Sequence, residues 1–262
     1  MGELKNQLAI LCQASSRLAE PLALALGSEG ARLAIVDINL QSAKDLVAIL
    51  ETEGISAKAY QADLSAESVK HTLRAIQALQ GRLDILVTCP VDPVVSPSVD
   101  LAEGDFRGIL DRTLVHAFLW CQAVGRSMLA TGEGALVNVT GLSGMGGWPG
   151  WLAESAAFAG IHNLTHTLAT EWTRFGVRTN CLVPGVTEDQ IDALLKTPEA
   201  PNRSKIIERV PLRRLASSDD LGKALVYLVR PAASFISGEI LRVDGGWDVW
   251  GRYYAVDPAS NR

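Results

Sequence analysis

Short apolar runs alternate with longer amphipathic segments along most of the chain. The runs lie at residues 8–11, 33–36, 84–87, 135–139, 179–183 and 239–243. Nearly continuous apolar runs of this length are typical of strands buried on both faces, and the segments between them have helical spacing. The alternation therefore predicts an α/β fold, a single doubly wound parallel sheet with helices on both faces.

No Pro-rich or Ser-rich linker and no internal repeat divides the 262 residues. We therefore expect a single domain over residues 1–262 with an aromatic tail at 247–262. The tail has four large aromatic residues within a short stretch: Trp247, Trp250, Tyr253 and Tyr254. Such side chains are favoured where a partner buries them, which predicts a contact with another subunit. The alternative is that the tail folds back on its own chain.

Composition excludes several classes of function. The formal charge of −5 and a pI near 5.4 argue against nucleic-acid and membrane partners. No apolar run is long enough to span a bilayer, and no signal peptide begins the chain. The cysteines have no zinc-site spacing and are expected to be reduced thiols of a soluble, cytoplasmic protein: Cys12, Cys89, Cys121 and Cys181.

Several fragments occur in an order that points to one family. They are the first strand and turn at 8–19, the second strand ending in Asp37, the dipeptide Asp63-Leu64, the strands at 84–87 and 134–139, and the stretches at 176–180, 184–185, 211–215 and 238–246. Over about residues 6–248 the chain resembles the short-chain dehydrogenase/reductase superfamily. The resemblance implies a Rossmann-type fold and NAD-dependent oxidoreductase chemistry.

The cofactor turn departs from this family. The resemblance places Gln13, Arg17 and Ala19 at the three glycine positions that let a backbone approach a diphosphate. Long side chains at two of these positions would lie in the diphosphate path. Pro21 suggests that the following helix starts late, which would displace its phosphate-facing amides. We therefore expect this chain to bind no cofactor, although Arg17 itself could contact a phosphate.

Acidic residues of the nucleotide site persist. Asp37 ends the second strand, where an acid would bind an adenosine ribose and favour NAD over NADP. We interpret Asp37 and Asp63 as relics of that site, with helix capping or turn formation as the other reading. The bulk of Pro90 and Val91 would further crowd the cofactor floor.

The four catalytic positions of the family are all changed. The resemblance places Thr113, Gly141, Glu154 and Phe158 where the family has Asn, Ser, Tyr and Lys. A phenol that exchanges a proton with a substrate hydroxyl needs a nearby cation. Glu154 provides no phenol, and Phe158 provides no cation. We therefore predict no catalytic residue here.

Other chemistry at these positions stays open. Glu154 beside Phe158 and Trp151 could have a raised pKa and act as a general base in a new reaction. His162 lies about 12 Å further along the same helix, too far for a direct acid–base pair. His162 and His166 have the i,i+4 spacing of metal ligands, but no third ligand accompanies them, so no metal is predicted.

The pattern of losses resembles the non-catalytic subunits of two-subunit 2-(hydroxybenzyl)succinyl-CoA dehydrogenases, which oxidise a 3-hydroxyacyl-CoA in anaerobic toluene degradation. This resemblance implies that the chain is a structural or regulatory subunit of a hetero-oligomer, expected to be a tetramer. The partner subunit would be an intact short-chain dehydrogenase that binds NAD. The family's fourth and fifth helices, which contain Thr113 and Glu154 here, pair across a two-fold axis. The alternatives are a ligand-binding pseudoenzyme that uses the old cleft and an enzyme of altered chemistry centred on Glu154.

Overall fold

The structure is a computed structural model, and it describes residues 2–188, 191 and 202–250. Within these residues seven parallel strands form one sheet in the order β3-β2-β1-β4-β5-β6-β7. The strands are β1 Leu8–Cys12, β2 Arg32–Asp37, β3 Ala57–Gln61, β4 Ile85–Thr88, β5 Gly134–Val139, β6 Val177–Pro184 and β7 Ile240–Val243. The predicted fold class, a doubly wound parallel sheet, is confirmed.

Helices connect the strands and cover both faces of the sheet. Numbered along the described part of the chain, they are α1 Ala19–Ser28, α2 Leu40–Thr52, α3 Ala66–Gln80, α4 Glu103–Leu110, α5 His116–Thr131, α6 Leu152–Trp172, α7 Arg203–Arg209 and α8 Ser218–Val229. A π-helical turn, Asp111–Val115, joins α4 to α5. No helix among the described residues is long and apolar enough to cross a membrane.

Burial of both sheet faces explains the apolar runs. In β1, Leu8 and Ile10 belong to a core cluster on one face, while Ala9 and Leu11 belong to the cluster on the other face. Successive side chains of a strand point to opposite sides, so a strand covered on both sides has no polar position. The central strands could therefore be recognised as uninterrupted apolar segments.

The sequence pattern locates six of the seven strands and misses β3. This strand lies at the edge of the sheet, and its residues are exposed or only partly buried. Lys58 and Gln61 point to solvent, so Ala57–Gln61 has no apolar run. An edge strand loses the signal that two-sided burial gives to central strands.

The strand order also locates a crevice. The chain winds from β1 through β2 to β3 on one side, and then returns to place β4 on the other side of β1. The loops that follow β1 and β4 therefore leave in opposite directions from neighbouring strand ends. Such a switch point at the carboxyl ends of the strands opens a crevice that can receive a ligand.

Close approach of α5 and α6 depends on a glycine. A Cβ atom at Gly125 of α5 would lie 2.4 Å from the Cη2 atom of Trp172, at the end of α6. The rigid indole cannot move away without disturbing its own packing. This contact sets the separation of the two helices at that point.

We predict that Gly125→Ala lowers the free energy of unfolding by about 1–3 kcal/mol, the usual cost of overpacking. Gly108→Ala in α4 is the matched control, because no atom lies within 4 Å of the added Cβ. That control should be neutral or stabilising by roughly 0.5–1 kcal/mol. Urea denaturation measures both, and equal values for the two variants would contradict the packing argument.

Candidate functional site

A first cavity opens at the ends of β1 and β2. We call it the Asp37 cavity; its volume is about 250 Å³, and it is lined by Gln13, Ser15, Asp37, Ile38, Leu64, Val91, Asp92, Arg112 and His116. The Asp37 carboxylate is buried and accepts hydrogen bonds from the Ser15 amide and hydroxyl, both at 2.9 Å. Its other oxygen accepts from the Asn39 amide at 2.8 Å. The acid therefore organises the turn after β1.

Gln13 also stabilises this turn. Its backbone has φ +65°, the left-handed region that favours glycine. Its side-chain amide donates to the carbonyl of Arg112 in the π-helical turn. A π turn displaces the regular hydrogen bonds of a helix, and here a side chain from the β1 turn binds one of its carbonyls. The same turn contains Thr113, which is buried and whose hydroxyl has no hydrogen-bond partner among the described residues.

Arg17 crosses the mouth of the crevice. Its Nε atom lies 3.2 Å from an Asp92 carboxylate oxygen, so the pair connects the loop after β1 to the loop after β4. Asp92 and Val91 line the Asp37 cavity and also a second cavity beyond the pair. The Arg17–Asp92 ion pair thus stands between two halves of one crevice.

The second cavity is mostly apolar and aromatic. We call it the aromatic cavity; its volume is about 80 Å³. Its walls include Leu142, Ser143, Trp148, Trp151, Glu154, Phe158 and Val186, and Arg17, Asp92 and Thr140 also border it. The rings of Trp148 and Trp151 meet edge to face with centroids 5.8 Å apart. Most of the surface offered to a ligand here is therefore hydrophobic.

Glu154 is the acid of this cavity. Its side chain is buried, and its Oε2 atom has no hydrogen-bond partner among the described residues. Burial, assisted by the Asp92 charge, raises the pKa of Glu154 to about 8. Near neutral pH the carboxyl group is therefore mostly protonated, and it can donate a hydrogen bond.

Phe158 occupies space that a serine at position 141 would need. The ring is buried, and a Cβ atom at Gly141 would lie 3.0 Å from its Cε2 atom. A Cβ at Gly144 would lie 2.6 Å from the Cβ of Phe158. The changes at 141 and 158 are therefore sterically coupled: the aromatic ring packs best where a hydroxyl-bearing side chain is absent.

The neighbouring polar groups have structural roles. Thr140 Oγ1 lies 3.0 Å from His162 Nε2 and 3.3 Å from Cys181 Sγ, in the core behind the cavity. Burial lowers the pKa of His162, which favours the neutral ring. Among residues 2–188, 191 and 202–250, no group of three His, Cys, Asp or Glu side chains could hold a metal ion.

The cysteines offer no nucleophile. All four are buried and free of disulfides, as expected for reduced thiols. Burial raises the pKa of each of them. A thiol with a raised pKa carries almost no thiolate at neutral pH.

Comparisons with family models, protein sequences and solved structures identify relatives of this chain. Residues 14–248 match the model of a family described as enoyl-(acyl carrier protein) reductase. D-threitol dehydrogenase of Mycolicibacterium smegmatis is 32% identical over 247 residues, which cover 94% of each chain. The chain belongs to the short-chain dehydrogenase/reductase superfamily. A gluconate 5-dehydrogenase of Burkholderia cenocepacia, solved with NADP and tartrate, has a TM-score of 0.88 and 26% identity over 95% of this chain and 98% of its own.

The solved relatives correct the prediction that this superfamily member binds no cofactor. The gluconate 5-dehydrogenase holds NADP. A xylitol dehydrogenase holding NAD⁺ shares the fold, with a TM-score of 0.86 at 23% identity over 93% of this chain and all of its own. The expectation relied on the three changed glycine positions and treated side-chain bulk there as decisive. Relatives of this fold hold dinucleotides, so the prediction is wrong.

The expected late start of the helix after the turn is also wrong. The structure begins α1 at Ala19, so Pro21 is the third helical residue. Proline in the first turn loses no intrahelical hydrogen bond, because the first amides of a helix have no partner within it. Arg17, which the sequence offered as a phosphate contact, forms an ion pair with Asp92 in the structure.

Asp63 forms a turn before α3, whose N-cap residue is Ser65. Its carboxylate accepts a hydrogen bond from the Ser65 amide at 2.7 Å, just before α3. These Ser65 contacts lower the pKa of Asp63. The side chain does not line the Asp37 cavity, whereas its neighbour Leu64 does.

The described part of the aromatic tail packs on its own chain. Trp247 stacks on Trp148 with ring centroids 5.8 Å apart, and its carbonyl accepts a hydrogen bond from Arg209 at 2.9 Å. Tyr253 and Tyr254 lie outside the described residues. Contact of the tail with another subunit stays a prediction. Trp247 packs behind Trp148, which forms part of the wall of the aromatic cavity.

Sequence reasoning missed Asp92, Trp148 and His116. Asp92 lies in the loop after β4, far from Arg17 in the sequence, and only the folded structure shows their ion pair. The sequence signal for Asp92 was an acidic residue two positions after Pro90. His116 lines the Asp37 cavity, and burial lowers its pKa to about 4. Its Nδ1 atom has no partner among the described residues. The signal for His116 was its position just after the segment aligned with the family's catalytic Asn.

We predict that Gly141→Ser lowers the free energy of unfolding by roughly 1–3 kcal/mol, because the new side chain meets the Phe158 ring. In a Phe158→Leu background the same substitution should cost less, which a double-mutant cycle in urea would measure. Gly146→Ser is the control, because nothing lies within 4 Å of its added Cβ. Additive effects at positions 141 and 158 would refute the coupling.

Proposed function

We propose that this chain is a dinucleotide-binding, non-catalytic subunit of a hetero-oligomeric short-chain dehydrogenase. The observation that carries the proposal is the contact between Phe158 and Gly141. A buried ring stands at the family's lysine position and fills the space of its serine. Glu154, at the tyrosine position, shares its cavity with one cation among the described residues, Arg17, which forms an ion pair with Asp92. No proton relay can be assembled from these groups.

The crevice supports dinucleotide binding after one local rearrangement. The Asp37 cavity and the aromatic cavity lie on either side of the Arg17–Asp92 pair, as the two halves of a dinucleotide require. Arg17 is partly exposed, and exposed pairs contribute only about 0–1 kcal/mol. Its guanidinium can therefore leave Asp92 and bind a diphosphate, taking over the role of the absent glycines. Bound nicotinamide supplies hydride chemistry only where a proton relay accompanies it.

Asp37 favours NAD over NADP. Its buried carboxylate lines the cavity at the end of β2, where it would repel a 2′-phosphate. The hydrogen bonds from Ser15 and Asn39 fix its orientation. A fixed acid discriminates better than a mobile one, because it cannot turn away from the added charge.

Assembly with an intact relative is the second part of the proposal. Val115 and Phe118, where α5 begins, are large apolar side chains with 39% and 40% of their surface exposed. Ser155, Ala156 and Gly160 of α6 have small side chains that permit close helix approach. A diverged copy can replace one subunit of a two-fold assembly while keeping its symmetry. The partner would then carry the hydride transfer.

For the partner's substrate we propose a 3-hydroxyacyl-CoA, such as the 2-(hydroxybenzyl)succinyl-CoA of anaerobic toluene degradation. The support is the resemblance stated in the sequence analysis, which rests on the residues Gln13, Arg17, Glu154 and Phe158 at the cofactor and catalytic positions. Activity of the purified complex with this thioester and NAD tests the choice. Oxidation of simple polyols instead of acyl-CoA thioesters would reject it.

We predict that the isolated chain binds NAD, and that Arg17→Ala weakens binding about 10-fold, the equivalent of about 1.4 kcal/mol, a typical worth for a charge-assisted contact. Asp92→Asn should strengthen binding, because it releases Arg17 and removes a negative charge near the diphosphate. Titration calorimetry measures both. Asp37→Asn should reduce the preference for NAD over NADP.

Arg107→Ala is the matched control for these titrations. Arg107 also forms an exposed ion pair with an acid, Glu103, but it lies in α4 and lines neither cavity. Its removal should leave NAD affinity unchanged. If Arg17→Ala also leaves the affinity unchanged, the diphosphate does not use this guanidinium.

We predict that the tagged chain, purified from its native cells, carries an intact short-chain dehydrogenase in a fixed ratio, measured by native mass spectrometry. The isolated chain should show no NAD-dependent oxidation, and the complex should. A truncation after Trp250 should weaken association while keeping the Trp247–Trp148 stack. Recovery of the chain without a partner would reject the proposal, and turnover by the isolated chain that Glu154→Gln abolishes would replace it with an enzyme of altered chemistry.

A further inference from the structure

Two arginines contact the same tryptophan ring at the start of the tail. The Cζ atoms of Arg209, at the end of α7, and of Arg213, in the turn that follows, each lie 5.6 Å from the centroid of the Trp250 ring. Arg209 also stacks on Trp247, with its Cζ atom 4.9 Å from that ring's centroid. The two cations therefore lie within twice the 5.6 Å of one another, and their charges repel.

The charge of these two arginines is not balanced by an acid in the described part of the chain. The next residue, Arg214, binds both carboxylate oxygens of Asp220. Arg209 and Arg213 form no ion pair with a described carboxylate, and their polar contacts there are with backbone carbonyls. Two neighbouring cations without a counter-charge indicate a place for an anion.

Backbone contacts hold both guanidinium groups in place. Arg209 donates from Nη1 to the carbonyl of Trp247, and Arg213 donates from Nη1 to the carbonyl of Glu208, both at 2.9 Å. A guanidinium has five N–H donors, so most donors of each group stay available to a ligand. Stacking on an aromatic ring leaves these N–H edges accessible. The side chains are thus oriented without being saturated.

The backbone of Arg213 is in an uncommon conformation. Its φ is +57°, in the left-handed region that residues other than glycine seldom adopt. Its amide donates to the carbonyl of Val210 at 2.8 Å, and the amide of Leu212 donates to the carbonyl of Gly245 at 3.2 Å, which joins this turn to the tail. Maintained strain of this kind is concentrated at ligand sites. Here it places the Arg213 side chain beside Trp250.

The arrangement suits a tetrahedral dianion better than a single carboxylate. The two oxygens of a carboxylate lie in one plane, and one guanidinium fork can bind both of them. A phosphate monoester carries about −1.5 to −2 charges near neutral pH and has three acceptor oxygens. It can therefore accept hydrogen bonds from two forks at once and balance both positive charges.

We propose that Arg209 and Arg213, held against Trp250, bind the phosphate monoester group of a small molecule. Neither arginine lines the Asp37 cavity or the aromatic cavity, so this site goes beyond the proposed function and depends on neither a dinucleotide nor a partner subunit. Glu208, the acid next to Arg209, does not pair with either arginine through its carboxylate. Arg209 and Arg213 then determine specificity for the phosphate group.

Titration calorimetry of the full chain with glycerol 3-phosphate tests the site. Succinate is the comparison compound, because it is also a dianion but has only carboxylates. Glycerol 3-phosphate should bind with a roughly millimolar Kd and more tightly than succinate. Arg213→Gly should weaken its binding about 10-fold, because glycine suits the left-handed backbone but removes one fork. Arg209→Lys keeps the charge and should also weaken binding, because it loses the fork.

Arg203→Ala is the matched control. Arg203 is another exposed arginine of α7, but it forms an ion pair with Glu188. Arg17→Ala reports on the crevice, where a bound phosphate would contact Arg17. Both variants should keep the wild-type affinity for glycerol 3-phosphate, and thermal unfolding shows whether each variant is folded. NAD affinity, measured separately, should not change in Arg213→Gly, so failure of this site and failure of the proposed function are distinguishable.

Sedimentation with phosphatidic acid vesicles distinguishes two sources of the phosphate group. A chain that stays in the supernatant takes a soluble phosphate monoester, and one that sediments only while Arg213 is present takes the same group from a lipid. Succinate that binds as tightly as glycerol 3-phosphate would overturn the proposal in favour of an acidic protein segment. Wild-type affinity in folded Arg213→Gly, loss of binding in Arg17→Ala alone, or no binding of glycerol 3-phosphate up to tens of millimolar would also overturn it.

Discussion

Phe158 packs its ring against Gly141 at the end of β5, and the character of the whole crevice follows from this contact. A lysine at position 158 would place a cation in a buried site, where it must be paired to be tolerated. Phenylalanine needs no partner and fills the space with apolar surface. The same ring would have to shift by a few tenths of an ångström to admit a Cβ atom at 141, and it forms a wall of the aromatic cavity. One packing contact therefore gives apolar surface to two positions, 141 and 158, where the family pattern has polar catalytic side chains.

In a chain that does not need to transfer hydride, stability favours phenylalanine at position 158 and glycine at position 141. Catalytic sites keep polar groups in places where apolar packing would be more stable, and loss of function releases that constraint. The sheet is unaffected, because the catalytic positions lie at the ends of strands and on loops while the core lies between sheet and helices. Glu154 is the exception, since its burial raises its pKa and costs stability whenever it ionises.

The central strands and the family could be predicted from the sequence because two-sided burial leaves long apolar runs. β3 could not, since this partly exposed edge strand contains Lys58 and Gln61, whereas β7 at the other edge keeps the apolar residues Ile240, Leu241 and Val243. The family pattern indicated which residues stand at the catalytic positions: Thr113, Gly141, Glu154 and Phe158. How these side chains pack against one another could be seen only in the folded structure. The clash between 141 and 158, like the Arg17–Asp92 pair, joins residues far apart in the chain. Bulk at three glycine positions was a poor guide to cofactor binding, because it gave no information about where the side chains of Gln13 and Arg17 would turn.

Arg17 and Asp92 link the two halves of the crevice electrostatically. While the pair is closed, Arg17 offsets the Asp92 charge that acts on Glu154. Transfer of Arg17 to a diphosphate would leave Asp92 uncompensated, and this would favour the neutral form of Glu154 further. Occupancy of the diphosphate position would thus be linked to the protonation state of Glu154 through the Arg17–Asp92 pair.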